Sequence, residues 1–175
     1  SELLALADFQ AASESEQRVL FLAALLHDVA KYRTTVINEQ GRISQPGHSK
    51  KGALDARILL WELGLPFAER EAVCNLIAVH QVPFFVFEDN RHGHTPQWLC
   101  HSLSWQTNIR LLCALAEADM QGRVCADKSR ALDNIALLRE LAREESCEQT
   151  PKAFANEHTR LRYFQGHEVY PDFAL

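Results

Sequence analysis

The sequence predicts an all-α domain, and three observations lead to that fold class. Apolar residues recur every three or four positions through most of the 175-residue chain, as in helices that bury one face. Residues typical of helix ends flank these stretches, with Ser13 before one of them and Gly64 after another. Strand patterns are nearly lacking, because only residues 34–37 and Ile43 favour pairing as a short hairpin.

The first strong helix is predicted over residues 20–32, LFLAALLHDVAKY. A cap at Ser13 or Ser15 is expected to begin it, with Glu16 in the first turn, where the helix dipole favours an acid. The expected core-facing residues are Val19, Leu22, Leu26 and Val29. The same helix would carry His27, Asp28 and Lys31, and burying such groups without partners costs several kcal/mol. Residues 2–11 are predicted to form the end of an earlier helix.

Four further helical regions follow. They are predicted from His48 to Leu63, from Pro66 to a point before Pro83, from Thr95 through the stretch NIRLLCALAEADM, and over residues 128–145 after a cap at Asp127. The residues expected to face the core are Ala53, Ala56, Leu59, Leu60, Leu63, Val73, Leu76, Ile77, Leu111, Leu112, Leu115, Ala116, Leu132, Ile135, Leu138, and Leu141 or Ala142. Thr150 and Pro151 are predicted to start a last short helix.

Composition indicates one folded domain over residues 1–175, because 47% of the residues are hydrophobic and 23% are charged. The net charge of −5 argues against a broad basic surface that coats nucleic acid, although it allows a small pocket for a nucleic-acid end. Five cysteines without a C-x-x-C pair indicate reduced thiols, and no apolar run reaches the length of a membrane span. We therefore expect a cytoplasmic protein without a membrane contact. Since the chain opens at Ser1 in or just before a helix, we also expect residues upstream of it.

Five polar residues stand on apolar helical stretches or at their ends: His27, Asp28, His48, His80 and Asp119. Each alone has an ordinary explanation as a hydrogen-bonded core residue or an ion-pair partner. As a set, imidazole nitrogens and carboxylate oxygens without thiolates suit a catalytic Mn²⁺, Fe²⁺, Co²⁺, Ni²⁺ or Mg²⁺ ion better than a structural zinc site. Helical bundles hold metals with side chains from facing helices. The sequence therefore predicts one or two divalent ions between helices.

The motifs that hold these residues resemble a known family. LLHDVAK, PGHSKKGA, IAVHQVP and LAEADMQGR are similar in order and spacing to the pattern of the HD-domain metal-dependent phosphohydrolases, over about residues 19–125. The resemblance implies an HD-domain helical bundle that hydrolyses a phosphoester with a water molecule activated by a divalent ion.

The resemblance also implies roles for single residues. His27, Asp28 and Asp119 would hold one ion together with a histidine upstream of Ser1, and His48 and His80 would hold a second ion or bind phosphate. Asp28 would also bridge the ions or orient the nucleophile. The residues expected to contact the substrate phosphate are Lys31, Lys50, Lys51 and Arg123.

Softer motifs narrow the resemblance. PGHSKKGA, HQVPFF and LAEADMQGRVCAD look like the HD modules related to those of tRNA nucleotidyltransferases, and above all like those fused to a polynucleotide-kinase-like domain in RNA end-healing proteins. This similarity implies a 2′,3′-cyclic phosphate or 2′-phosphate at an RNA 3′ end as substrate, and a P-loop kinase domain after Leu175. Phe84, Phe85 and Phe87 could stack a terminal base, although a place in the core is the simpler expectation.

The chain departs from the family pattern in two places, and other functions stay open. No histidine precedes His27, and Val79-His80 stands where many relatives carry two adjacent histidines. His92 and His94 could chelate a metal, but a solvated loop is expected there. One alternative is an HD nucleotidase that acts on free nucleotides or alarmones. Another is a non-catalytic helical module that senses a metal or a nucleotide.

Overall fold

The structure, a computed structural model, describes residues 2–88 and 95–150, and its regular secondary structure in those ranges is nearly all helical. The helices are α1 (Glu2–Ala5), α2 (Ala7–Gln10), α3 (Glu14–Leu26), α4 (Lys31–Thr34), α5 (His48–Glu62), α6 (Phe67–Val79), α7 (Pro96–Gln106), α8 (Ile109–Gln121) and α9 (Lys128–Glu144), with a 3₁₀ turn at Val82–Phe84. Strands β1 (Val36–Ile37) and β2 (Ile43–Ser44) form one exposed antiparallel hairpin. The predicted all-α fold and the short hairpin are confirmed.

Helix α8 is the centre of the bundle. It packs against α1, α2, α3, α6, α7, α9 and the 3₁₀ turn. Its sequence explains this position, because apolar residues occupy both sides of the helix and Ile109, Leu112 and Cys113 are fully buried. Asn108 caps its first turn by accepting a hydrogen bond from the amide of Leu111. The helix therefore carries its last turn, which contains Asp119, into the middle of the domain.

Among the described residues, α5 and α6 make the most extensive helix–helix contact, and α3 packs on α6. Gly64 ends α5 as predicted: its φ of 76° is left-handed, and the amide of Leu65 donates to the carbonyl of Leu60. Pro66 precedes the first residue of α6. This tight connection turns the chain back, so that the beginning of α5 lies close to the end of α6.

The beginning of the chain differs from the prediction of one continuous helix end. Leu6 has extended backbone angles (φ −70°, ψ 135°) and separates α1 from α2. The segment is tied to the rest of the domain, because Arg110 donates to the carbonyl of Asp8 and Gln17 donates to the carbonyl of Phe9. The predicted cap of α3 is confirmed at Ser13, which exchanges hydrogen bonds with Glu16 in a capping box.

The helix predicted to continue through residue 32 ends earlier. α3 stops at Leu26, and residues 27–30 form turns before α4. The amide of Lys31 bonds to the carbonyl of Asp28, a spacing of three residues that belongs to a turn. His27 and Asp28 thus lie at the end of a helix, where side chains can reach groups on other elements.

Two further expectations were wrong in detail. Leu59 and Leu63 are exposed, because the face of α5 that packs inward consists of Gly52, Ala53, Ala56 and Leu60. Asp127 precedes α9, but its side chain accepts no capping hydrogen bond. The cap predicted at Thr95 is confirmed by a hydrogen bond from the amide of Trp98.

All five cysteines are free thiols, and all but Cys125 are buried. The sulfur atoms of Cys100 and Cys147 are in contact at 3.3 Å. Within residues 2–88 and 95–150, no helix is both long enough and apolar enough to cross a bilayer. The start predicted for a short helix at Thr150 and Pro151 lies at the edge of the described residues, and the expected helix itself lies beyond it.

Candidate metal centre

Four helices bring polar side chains together at their ends. His27 follows α3, His48 is the first residue of α5, His80 follows α6, and Asp119 lies in the last turn of α8. His48 and His80 are buried, and the side chain of Asp119 is nearly so. Asp28 projects into the middle of this group from the turn after α3. We call these five residues the histidine cluster.

The three histidines are held in the same way. Each Nδ1 lies 2.8 Å from the carbonyl oxygen of the residue three positions earlier, which is Ala24 for His27, Gln45 for His48 and Ile77 for His80. Since a carbonyl oxygen only accepts, each Nδ1 carries the proton that it donates. In the neutral ring, Nε2 is then a free acceptor, which is the form that binds a metal ion.

Gly47 forms the backbone turn that positions His48 at the start of α5. Its φ of 69° is left-handed, and the residue stands directly before the first residue of the helix. A side chain is strained in this conformation, so glycine is the residue that fits. The turn places the carbonyl of Gln45 beside the His48 ring.

Asp28 stands between the histidines. Its Oδ2 atom lies 3.2 Å from Nε2 of His27 and 2.6 Å from Nζ of Lys31. Its Oδ1 atom lies 3.4 Å from Nε2 of His48 and 4.0 Å from Nε2 of His80. The two carboxylate oxygens therefore face different histidines. Asp28 could contribute a ligand to each of two neighbouring cation positions.

Asp119 approaches the cluster from α8. Its Oδ1 atom lies 3.6 Å from Nε2 of His27. Arg123, one turn later on the same helix, donates from Nε to Oδ1 at 2.8 Å and from its terminal nitrogen to Oδ2. The same guanidinium stacks over the ring of Phe84, 5.4 Å from its centre. Arg123 thus fixes the orientation of the Asp119 carboxylate.

Several atoms of this cluster are buried without a hydrogen-bond partner: Nε2 of His27, His48 and His80, and Oδ1 of Asp28. A buried polar atom left in this state costs about 1–3 kcal/mol. Ligating atoms of His27, Asp28 and His80 lie within 4.8 Å of one another, and the group could hold a metal ion. Nitrogen and oxygen donors suit a divalent transition metal. The residues present therefore fit the ion that the sequence predicts.

The electrostatics of the cluster favour a cation. Burial opposes a charge on His27, but the Asp119 and Asp28 carboxylates outweigh it and raise the pKa of His27 to about 9. Burial would raise the pKa of Asp28, yet His27 and Lys31 hold the pKa of that carboxyl well below its usual range. The pKa of Asp119 is lowered against its burial by His27 and Arg123. Without a metal, the two carboxylates hold a proton on His27, and a divalent ion can replace that proton.

His80 differs from His27. Burial lowers the pKa of His80 to about 4, so its ring is neutral near pH 7. The rings of His27 and His80 meet edge to face with their centres 5.1 Å apart, and those of His48 and His80 with centres 5.4 Å apart. His80 is thus a neutral nitrogen donor between the other two histidines.

The basic residues predicted to contact phosphate occupy different surroundings. Lys31 reaches the cluster through Asp28, and Arg123 is paired with Asp119. Lys50 and Lys51 are exposed on α5. Their phosphate contacts stay predictions. His92, His94, His158 and His167 lie outside the described residues. Phe84 is buried and Phe87 packs against the core, whereas Phe85 is exposed.

Sequence reasoning missed three features around the cluster. It did not find the carbonyl partners of Nδ1, the pairing of Asp119 with Arg123, or the hydrogen bond from Ser49 to Gln81 that joins the residues after His48 and His80. The spacing of four between Asp119 and Arg123 was a usable signal, because such pairs meet on a helix. A pocket of about 250 Å³ between α1, α3 and α8 also opens beside His27 and Asp119, lined by Leu3, Phe21 and Leu25 among others.

Comparison with known proteins agrees with the geometry. The model of the HD domain family matches residues 2–93, a range that holds His27, Asp28, His48 and His80. No curated protein matches the chain. HD domains are in general metal-dependent hydrolases that bind divalent ions. Since the match spans more than half of the sequence and the cluster has the expected donors, the chain belongs to the HD domain family of metal-dependent phosphohydrolases.

Proposed function

We propose that this domain hydrolyses a phosphoester on a nucleotide or at an RNA 3′ end. His27, Asp28 and Asp119 would hold a divalent ion, and His48 with His80 would hold a second ion or bind the phosphate. The observation that carries this proposal is the set of four buried, unpartnered ligating atoms that point to one place. The Nδ1 atom of each histidine already bonds to the backbone, and the buried Nε2 atoms that face Asp28 make no hydrogen bond.

A bound divalent ion supplies Lewis acidity toward a phosphoryl oxygen and an attacking water molecule. The chain supplies the rest. Asp28 is in contact range of three histidines, so its carboxylate is placed to orient the nucleophile. Lys31 is half-buried beside Asp28, and its ammonium group can turn from that carboxylate to a phosphate oxygen. Arg123 acts indirectly, because it holds the Asp119 carboxylate toward His27.

The RNA-end part of the proposal depends on the motifs PGHSKKGA, HQVPFF and LAEADMQGRVCAD. The net charge of −5 is compatible with a substrate recognised at its end, where a few contacts are enough, and unfavourable for binding along a strand. Candidate substrates are therefore a 2′,3′-cyclic phosphate and a 2′-phosphate on a short RNA, with nucleoside monophosphates and polyphosphates as the competing class.

The first experiment measures metal content by elemental analysis of protein prepared without chelator or metal-affinity tag. We expect about one or more equivalents of a divalent transition metal, which Asp28→Ala removes. Asp133→Ala is the matched control, because it deletes an exposed carboxylate on α9 and should leave the metal in place. A metal-free protein that also fails to bind added Mn²⁺, Ni²⁺ or Co²⁺ would contradict the proposal and favour a non-catalytic module.

The second experiment compares substrates for the metal-loaded protein. Turnover of cyclic-phosphate or 2′-phosphate RNA ends above that of free nucleotides would support the RNA-end proposal. Faster turnover of nucleoside mono- or polyphosphates would favour the nucleotidase. Asp28→Ala and Asp119→Ala should both abolish hydrolysis while helicity is retained, and full activity in both would refute the assignment of the site.

A further inference from the structure

One face of α5 carries large apolar side chains in solvent. Leu54 is 56% exposed, Ile58 is 56% exposed and Trp61 is 68% exposed. Their spacing of four and then three residues places them in one row along the helix. The inward face of α5, with Ala53, Ala56 and Leu60, lies on the other side. We call Leu54, Ile58 and Trp61 the outer stripe of α5.

The outer stripe is more than scattered surface hydrophobicity. Single exposed apolar residues are normal, but a continuous row of three, one of them a tryptophan, is typical of a surface that another protein covers. Tryptophan is among the residues that contribute most to binding at such surfaces. The stripe also lies away from the histidine cluster, because only the first residue of α5 enters that cluster.

The charges at the two ends of α5 point to the kind of partner. Lys50 and Lys51 are exposed in the first turn, and Glu62 is exposed at the last residue. The positive end of the helix dipole lies at the first turn and the negative end at the last, so both ends carry charges of the unfavourable sign. The first turn contains no acidic residue and the last turn no basic one. A second helix running in the opposite direction would supply the missing charges at both ends.

We infer that the partner is a second copy of this chain, paired through α5 about a two-fold axis. An antiparallel copy places Glu62 of each α5 against Lys50 and Lys51 of the other, and it places the two outer stripes face to face. The 15 residues of α5 extend over about 22 Å, which is long enough for such pairing. In this register Ile58 of each copy lies opposite Leu54 of the other. A self-complementary surface of this kind is what a two-fold dimer requires.

This arrangement gives Lys50 and Lys51 a role in the dimer, in place of the phosphate contact that the sequence suggested. It is independent of the metal chemistry proposed above. The dimer can therefore be tested on metal-free and metal-loaded protein alike.

Sedimentation velocity of the full 175-residue chain tests the dimer. We expect the wild-type protein to sediment as a dimer and Ile58→Glu to sediment as a monomer, with a dissociation constant raised about 30-fold or more. Leu137→Glu is the matched control, because Leu137 is 52% exposed on α9 and should leave the dimer intact. A monomeric wild-type protein, or an unchanged dimer in Ile58→Glu, would overturn the proposal. Circular dichroism checks folding, and Trp61→Lys replaces Ile58→Glu if that variant is unfolded.

Charge exchange tests the antiparallel direction. Glu62→Lys alone should weaken the dimer, as should the pair Lys50→Glu and Lys51→Glu, because each places like charges opposite one another. The triple variant with all three changes should recover the wild-type dissociation constant, since every contact again joins opposite charges. A triple variant that stays as weak as Glu62→Lys would overturn the antiparallel arrangement.

Discussion

In the described part of the chain, two groups of largely buried polar side chains differ in which of their atoms have no hydrogen-bond partner. One is the histidine cluster. The other, which we call the arginine cluster, joins α2, α8 and α9 through Arg139, whose terminal nitrogen lies 2.8 Å from Glu117 and 3.1 Å from Asp8. In both groups the charged side chains are largely withdrawn from water. Charge and burial alone therefore do not distinguish a site from a structural ion pair.

The difference is in the unpartnered atoms. In the arginine cluster the buried atom without a hydrogen bond is Nε of Arg139, a donor that cannot bind a cation. In the histidine cluster such atoms include Nε2 of His48 and His80 and Oδ1 of Asp28, which can all donate electron pairs to a metal. Convergence of free acceptors, rather than burial of charge, marks the place where a cation can bind.

The largest difference between the clusters should appear on removal of Asp28. Asp28→Ala should lower the rate of phosphoester hydrolysis by about 10³-fold or more, because loss of the ion removes several kcal/mol of transition-state stabilisation. Initial rates with the best substrate of the panel measure this. Glu117→Ala, in the arginine cluster, should keep its rate per folded molecule. Equal losses in the two variants would mean that the clusters do not differ in function.

The pH dependence of stability should be a property of the histidine cluster in the metal-free protein. The pKa of His27 is raised from 6.5 to about 9, so its contribution is full below pH 6.5 and is lost as the pH rises toward 9. The pKa of His80 is lowered from 6.5 to about 4, so stability is lost as the pH falls from 6.5 toward 4. Each loss is about 3 kcal/mol, and the free energy of unfolding should peak near pH 6.5.

Urea unfolding in chelator across this pH range measures the curve. His27→Asn should remove the decline on the alkaline side while the acid side remains. Saturating metal should also remove the alkaline decline, because the ion takes the place of the proton. A flat curve in the chelated wild-type protein would refute the proposed coupling of His27 to the two carboxylates.

A substitution in the arginine cluster should lower the stability of the protein without changing its metal content. Arg139→Met leaves Asp8 and Glu117 without their partner in half-buried positions, and we expect a loss of about 2–3 kcal/mol in the free energy of unfolding. Denaturant titration gives the value, and elemental analysis of the folded protein should show the metal content of the wild type. If Arg139→Met lost metal without losing stability, the arginine cluster would be the group that supports metal binding, contrary to this prediction.

Of the four effects predicted here, that of removing the His80 side chain should be the smallest. His80→Ala deletes one neutral donor, while His27, His48 and the carboxylates remain, so the affinity for the metal should fall about 10–100-fold. Competition with a fluorescent chelator measures the affinity. A loss as complete as that of Asp28→Ala would show that all the donors are needed for a single ion.

The sequence was most informative where periodicity decides the structure. The bounds of α5, a serine cap before α3 and the stop at Gly64 follow from spacing and from local backbone preferences. The single helical region predicted from Thr95 onward is in fact two helices, α7 and α8. The five cluster residues were found as a set, because imidazoles and carboxylates stand out in apolar helices. The spacing of residues could not predict how the backbone and side chains turn where a helix ends. The stop of α3 at Leu26 has no local signal, because residues 27–33 contain neither glycine nor proline.

The exposed side of α5 shows a second limit of prediction from the sequence. Leu59 and Leu63 fit a helical stripe as well as Leu60 does, but Gly52, Ala53 and Ala56 allow a closer approach to α6 and so determine which side turns inward. Small residues that permit close packing are harder to recognise in a sequence than large apolar ones. The outer stripe became visible only after the inward face was known.

The carbonyl contacts of the three histidines have an entropic consequence. Each ring is immobilised when its helix end forms, so the rotational freedom that ligands ordinarily lose on capturing an ion has already been given up during folding. The ion then meets a rigid, prearranged set of donors. Fraying at the end of α3 or α6, or at the beginning of α5, would release a ring and weaken capture. Substitutions far from the ligands that loosen these turns would therefore alter a metal titration before they alter an unfolding curve.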